Sequence, residues 1–342
     1  MAKADRIKII KDIQKRRNSC LISYVTSTRE GLEVQMAMDS VRKVYEHLEL
    51  ISKPKKAANI DLFLHSNGGD GTVPWRLVTL IREYADVFSV LVPFKAFSAA
   101  TLTALGADNI LMHPMGMLGP TDPTVTNPFN PTNASGQLVG ISVEDVSAYI
   151  ALIKEDAGIQ HEDELVQAFN KLSDKVHPLA LGNVKRSLSQ SRMMAKKLLS
   201  LHMDAAADEH KISEIVDNLT SKLFYHGHPI NRHEALEQVG LPTVKLPTKQ
   251  IEKLMWQLYT DYETEIKMEE PFSPPMEFVK QFPNLAPGTS DTTPLATAKL
   301  AYIESANRTD VNTWGYVISG AKQPNGVTQV TPITSGQGWT KE

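Results

Sequence analysis

The chain carries one cysteine, Cys20, in 342 residues. A lone thiol excludes an internal disulfide, so a packed core has to hold the fold, and it suits a reducing compartment. Long apolar runs are also missing: the small-residue stretch that contains Ser98 is bracketed by Lys95 and Asp108, short of the roughly 20 residues that a membrane span needs. The opening MAKADRIKIIKDIQKRR repeats charge every few positions and has no apolar centre of a secretion signal. No GxxxxGK loop occurs, which argues against an ATPase on the same chain. A formal net charge of −3 provides no global field for nucleic acid or an anionic membrane. These absences lead to the expectation of a cytoplasmic protein with no membrane span and no nucleic-acid partner, and no cofactor is expected. What is present, 42% hydrophobic and 22% charged residues without an internal repeat, describes a globular chain with a sizeable core.

Ile7, Ile10 and Ile13 recur at helical spacing between basic residues, which predicts an N-terminal helix over residues 1 to 17. Its basic face reads as solvated over a packed isoleucine stripe, with a lipid-binding or partner-binding helix as the alternative. A strand follows at 20 to 26 and a helix at 33 to 48, then a regular alternation: strand 60 to 65, helix 72 to 84, strand 87 to 92, helix 98 to 107, strand 109 to 113. That alternation implies an α/β core whose strand ends gather the functional turns. Residues 124 to 137, rich in Asn, Pro, Thr and Gly, read as an exposed loop able to cover a groove. Helical stripes return at 142 to 154, 162 to 172, 184 to 203 and 209 to 223, before a short helix capped by Asn231. The core is thus placed at 18 to 246, a C-terminal helix capped by Thr248 at 247 to 270, and an extended or partly disordered arm at 271 to 342 with a helix-like island at 295 to 305.

Two segments carry the chemistry, LHSNGGD at 64 to 70 and KAFSAATLTALGAD at 95 to 108. A glycine pair at a strand end lets backbone N–H groups face an incoming oxygen, and Ser98 opens a helix of small residues with its hydroxyl exposed. The 29 positions from Gly69 to Ser98 hold one helix and one strand, enough to return the chain beside its starting turn. The N–H groups of Gly69 and Ala99 can then share an oxyanion, with Gly68 completing the turn.

These motifs, with LGPTDP at 118 to 123 and KVHPLALG at 175 to 182, resemble the serine dehydrogenase proteinase family of Clp-fold serine proteinases. That family is similar to ClpP and signal peptide peptidase A within the ClpP/crotonase superfamily, and the likeness runs from about Arg16 to Tyr262. The resemblance implies a spiral of ββα units, a nucleophile at Ser98, and oxyanion donors at Gly69 and Ala99. It also implies a peptide or unfolded-protein substrate laid along the glycine turn and, with the arm-like tail, a homo-oligomer; without a GxxxxGK loop, a gating or unfolding partner is expected to be separate.

The position matching the ClpP histidine falls near Thr121 and Asp122, where no histidine stands. Signal peptide peptidase A uses a later lysine, which makes Lys175 the first candidate base and Lys154 the second, provided burial lowers the pKa. Lys175 lies between the apolar Leu172 and Val176, and the rival reading is an exposed helix-end lysine. His177 is a third candidate or a turn cap before Pro178, and Asp122 either orients a catalytic group or starts a turn. His226 and His228 alternate as a metal pair would, yet no clear third ligand accompanies them, and no metal is assigned. Two further functions stay open on residues alone: a crotonase-type acyl-thioester enzyme, and a non-catalytic assembly or peptide-binding module.

Overall fold

Strands buried on both faces build the centre of this protein. A computed structural model describes residues 3–51, 57–121, 124–222 and 228–342. Helix α1 (Lys3–Arg17) leads into β1 (Cys20–Thr26), α2 (Met38–Ile51), β2 (Ala57–His65), α3 (Val73–Tyr84) and β3 (Ala85–Val92). The short β4 (Lys95–Ala96) precedes α4 (Ala99–Leu105), β5 (Asn109–Met112) and β6 (Met117–Leu118). A two-stranded pair, β7 (Thr124–Val125) and β8 (Ile141–Ser142), opens a helical segment of α5 (Val143–Ala151), α6 (Glu162–Ser173), α7 (Pro178–Leu199) and α8 (Glu209–Asp217). Then come β9 (Ile230–Asn231), α9 (Arg232–Glu237), β10 (Val244–Lys245), α10 (Lys249–Ile266) and α11 (Pro274–Gln281). The chain closes with β11 (Ser290–Thr292), β12 (Ala296–Ser305), β13 (Arg308–Lys322) and β14 (Thr328–Lys341).

Five parallel strands lie in the order β10, β5, β3, β2, β1. Successive side chains of a strand point to opposite faces, so the sheet carries two apolar layers. Ile22, Tyr24, Leu62, Leu64, Val90 and Val92 pack with Val44, Leu77, Leu105 and Leu198 of the helices on one face. Leu21, Val25, Phe63 and Leu91 meet Ile10 and Ile13 of α1 and Leu258 and Tyr262 of α10 on the other. The isoleucine stripe of α1 is therefore core.

Past β1 the sheet continues antiparallel through β12 and β13, and β13 also pairs with β11 and β14. This corrects the helix expected at 295 to 305. Ala, Leu, Lys and Glu favour helix locally, but the free edge of β1 offers a complete ladder of backbone partners, and the last six residues of β12 are buried there. Glu304 is fully buried and receives Arg6 of α1, which also bonds Asp261 of α10 at 2.7 Å. The first part of the C-terminal segment is thus sheet and core, tied to both flanking helices. Two boundaries also shift. Helix α7 begins at Pro178, where its missing N–H is harmless, and α2 begins only at Met38 because the residues before it run extended to the glycine turn.

Candidate active site

The turn that carries Ser98 and the glycine turn are brought together by pairing at the end of β2. Ser66 continues that strand by one residue: its N–H donates to the Lys95 carbonyl at 2.9 Å, and its carbonyl accepts the Phe97 N–H at 3.0 Å. On the far side of the turn, the Met36 N–H donates to the Gly68 carbonyl at 2.7 Å, and Asp70 N–H donates to the Met36 carbonyl at 3.0 Å. The turn is gripped from both flanks by backbone.

Ser98 stands between β4 and α4 with φ 51° and ψ −113°, a conformation that L-residues with a Cβ seldom adopt. A sharp strand-to-helix turn of this kind lifts the hydroxyl out of the backbone. The Ser98 side chain caps no helix N–H and, among the described residues, makes no hydrogen bond. Gly68 lies against it: a Cβ there would stand 2.7 Å from the Ser98 Cβ and 3.1 Å from the Ala99 nitrogen, at φ +100°. Neither the Gly69 N–H nor the Ala99 N–H has an acceptor among the described residues. A half-buried hydroxyl therefore sits beside a turn holding one free donor and at the start of a helix holding another.

The expected bases stand differently. Lys175 is exposed in the turn between α6 and α7, with Leu172 and Val176 only half-buried, so the burial expected of it is not found in the single chain. The apolar flank failed as a signal because Leu172 lies on α6, which buries no residue, and Val176 past its end is itself only half-buried. Lys154 is exposed at the rim of an apolar cavity of about 290 Å³ that Ile150, Ile153, Leu165 and Phe169 help to line. His177 caps α7, its Nδ1 accepting the Leu179 N–H at 3.1 Å while its ring stacks on Phe129 at 5.0 Å. Asp122 and His226 lie outside the described residues. Thr121, beside Asp122, is buried, donates its N–H to the Leu219 carbonyl and accepts from Ser191 through its own carbonyl. Among the described residues no group of three His, Cys, Asp or Glu side chains is placed to hold a metal, and His228 instead bonds Glu234 at 2.5 Å.

The sequence profile of the ClpP-like SDH-type serine proteinases matches residues 1–192. The chain belongs to that family. Two curated proteins of Methanocaldococcus jannaschii are similar to this SDH-type proteinase: uncharacterized protein MJ1495, 24% identical with 73% of this chain and 75% of that protein covered, and uncharacterized protein MJ0137, 25% identical with 68% and 71% covered. Two solved structures of the 1510-N membrane-bound stomatin-specific protease are also similar. A serine-to-alanine mutant is 15% identical, with 63% of this chain and 76% of the other covered, at a TM-score of 0.34. A lysine-to-alanine mutant in complex with a substrate peptide is 14% identical, with 62% and 70% covered, at 0.35. At those TM-scores neither supports an inference. Among the described residues of the SDH-type proteinase, no helix is long and apolar enough to cross a membrane.

Two further residues of the LHSNGGD motif, which the sequence does not single out, shape the proteinase's candidate site. His65 is fully buried, and its Nδ1 accepts the Lys95 N–H at 3.2 Å, which leaves the ring proton on Nε2, 3.4 Å from Thr28 Oγ1. Burial, with Lys95 adding to it, lowers its pKa to about 3. It is a neutral brace under β4 rather than a base. Ser66 is the second; its backbone pairing, described above, had no sequence signal beyond its place before the glycines.

Proposed function

We propose that the chain hydrolyses peptide bonds through an acyl-enzyme on Ser98. The observation that carries this reading is the positive-φ serine packed against a glycine turn, with Gly69 and Ala99 N–H groups that have no acceptor among the described residues. Ser98 Oγ attacks the scissile carbonyl carbon while its proton passes to a base. The carbonyl oxygen becomes an oxyanion that accepts from Gly69 and Ala99, a contact absent with water and strongest in the transition state. Collapse expels the amine, which takes the proton from the base, and water then releases the acid and frees Ser98.

The base in this reading is a lysine, Lys175 before Lys154. Both are exposed in the single chain, so either acts only when substrate or a second copy of the chain removes water from it. A homo-oligomer belongs to the proposal for that reason. The substrate strand follows Gly69 to Gly71, where a Cβ on Gly71 would meet nothing within 4 Å, leaving room for a backbone partner. Folded substrates require a separate unfolding or gating partner, since the chain has no GxxxxGK loop.

Incubation with a reduced, unfolded protein and mass spectrometry of new N-termini tests the function. New termini that vanish in Ser98→Ala support it, and Lys175→Met should lose far more turnover than Lys154→Met or His177→Gln. Cleavage that persists undiminished in purified Ser98→Ala contradicts it.

A further inference from the structure

The glycine turn has a weakness that its own chemistry creates. A peptide unit between two glycines can rotate about its long axis with little steric resistance, and such a rotation would turn the Gly69 N–H away from Ser98. Two contacts oppose it. Because a trans peptide holds its C=O and N–H on opposite sides, the Met36 N–H bond to the Gly68 carbonyl at 2.7 Å directs the Gly69 N–H away from Met36. The preceding peptide is held by a side chain: the Gly68 N–H donates to Ser66 Oγ at 3.0 Å.

Ser66 is itself held. Thr26 Oγ1 of β1 donates to Ser66 Oγ at 2.8 Å, and the Ser66 hydroxyl points back toward the Gly68 carbonyl at 3.4 Å. A serine hydroxyl has one proton and two lone pairs, so these three contacts use its whole capacity. Both residues are almost completely buried, where no water can stand in for either hydroxyl at low cost. The Ser66 backbone meanwhile grips Lys95 and Phe97, the residues that lead into Ser98.

We propose that Ser66 is the positioning residue of the oxyanion turn, with Thr26 acting through it: one residue fixes the nucleophile strand by its backbone and the donor turn by its hydroxyl. This rests on the assignment of Ser98 as nucleophile and Gly69 as donor. Ser66 touches no substrate atom. Its effect is on the orientation of a donor that works only when the oxyanion forms.

The test uses the full chain and a fluorophosphonate probe, whose phosphoryl oxygen occupies the oxyanion position as the serine adduct forms. Ser66→Ala should slow labelling by about 10- to 100-fold, below the loss for deleting a donor outright. Thr26→Val should slow it less, and the double variant no more than Ser66→Ala alone, since the two act in series. Thermal unfolding should remain cooperative in each, which separates the effect from general loosening. If Ser66→Ala does not fold, Thr26→Val carries the test by itself, with slowed labelling expected and an unchanged rate overturning the proposal. Wild-type labelling rates in Ser66→Ala, or losses that simply add in the double variant, overturn it too, while abolished labelling in Ser98→Ala shows that the nucleophile assignment survives. Undiminished labelling in Ser98→Ala instead removes the reading on which the proposal stands.

Discussion

A Cβ on Gly68 would stand 2.7 Å from the Ser98 Cβ and 2.6 Å from the Phe97 carbonyl oxygen, so the glycine turn and the Ser98 turn are in direct contact. Only a residue without a side chain allows that approach, and φ +100° at Gly68 adds a second reason for glycine. Gly68→Ala is expected to cost about 1–3 kcal/mol of stability and to slow fluorophosphonate labelling about tenfold or more. Urea unfolding and labelling kinetics on the same preparation check both. Gly69→Val separates the effects poorly, because its Cβ would strike the Met36 carbonyl oxygen at 2.4 Å.

The backbone at Ser98 makes a second prediction. A non-glycine residue at φ 51° and ψ −113° costs about 1–3 kcal/mol, more than the backbone freedom that glycine adds to the unfolded chain. Ser98→Gly should therefore be more stable than Ser98→Ala by about 1 kcal/mol, with both unable to form a covalent adduct. Denaturant midpoints of the two variants give the comparison. The reverse order would mean that the turn is not strained.

His65 ties stability to pH. Its folded pKa of about 3 lies below the ordinary value of 6.5, so between those limits the unfolded chain binds the extra proton and stability falls as pH falls. From this group alone the loss is about 2 kcal/mol at pH 5 and negligible above pH 7. His65→Asn keeps an acceptor for the Lys95 N–H and removes the titration. Its unfolding free energy should change less than that of the wild type between pH 7 and pH 5, and equal slopes would contradict the assignment.

Truncation distinguishes the parts of the C-terminal segment. Removing residues 290 to 342 strips β1 of β12 and leaves buried Arg6 with Asp261 but without Glu304. That chain should aggregate or lose cooperative unfolding. Removing 324 to 342 takes away β14, which is mostly exposed, and should leave a cooperative core. Circular dichroism melts of both truncations suffice.

The sequence spoke most clearly where local signals and packing agree. The strand and helix alternation from Ile60 to Met112, the Asn231 cap and the Thr248 cap all follow from periodicity and capping chemistry, and the structure contains each. Residues 295 to 305 were misread because their helix-forming composition says nothing about a vacant strand edge some 270 positions earlier in the chain. At the candidate site, the contact between the Gly68 turn and Ser98 was legible from glycine chemistry and spacing. Ser66 was not, since a hydroxyl's role there depends on Thr26 of another strand. The environment of Lys175 was illegible for a related reason: apolar neighbours in sequence bury a lysine only if they pack over it, whereas Leu172 lies on α6, which buries no residue, and Val176 is only half-buried beyond it.

The central claim is that Ser98 is a nucleophile served by the Gly69 and Ala99 donors, and covalent labelling addresses it most directly. The native chain is incubated with a fluorophosphonate, digested, and the modified peptide located by tandem mass spectrometry. The account predicts one adduct, on Ser98, that forms with the folded chain, disappears after denaturation and is absent from Ser98→Ala. An adduct on another residue, or equal labelling of folded and unfolded chains, would contradict it.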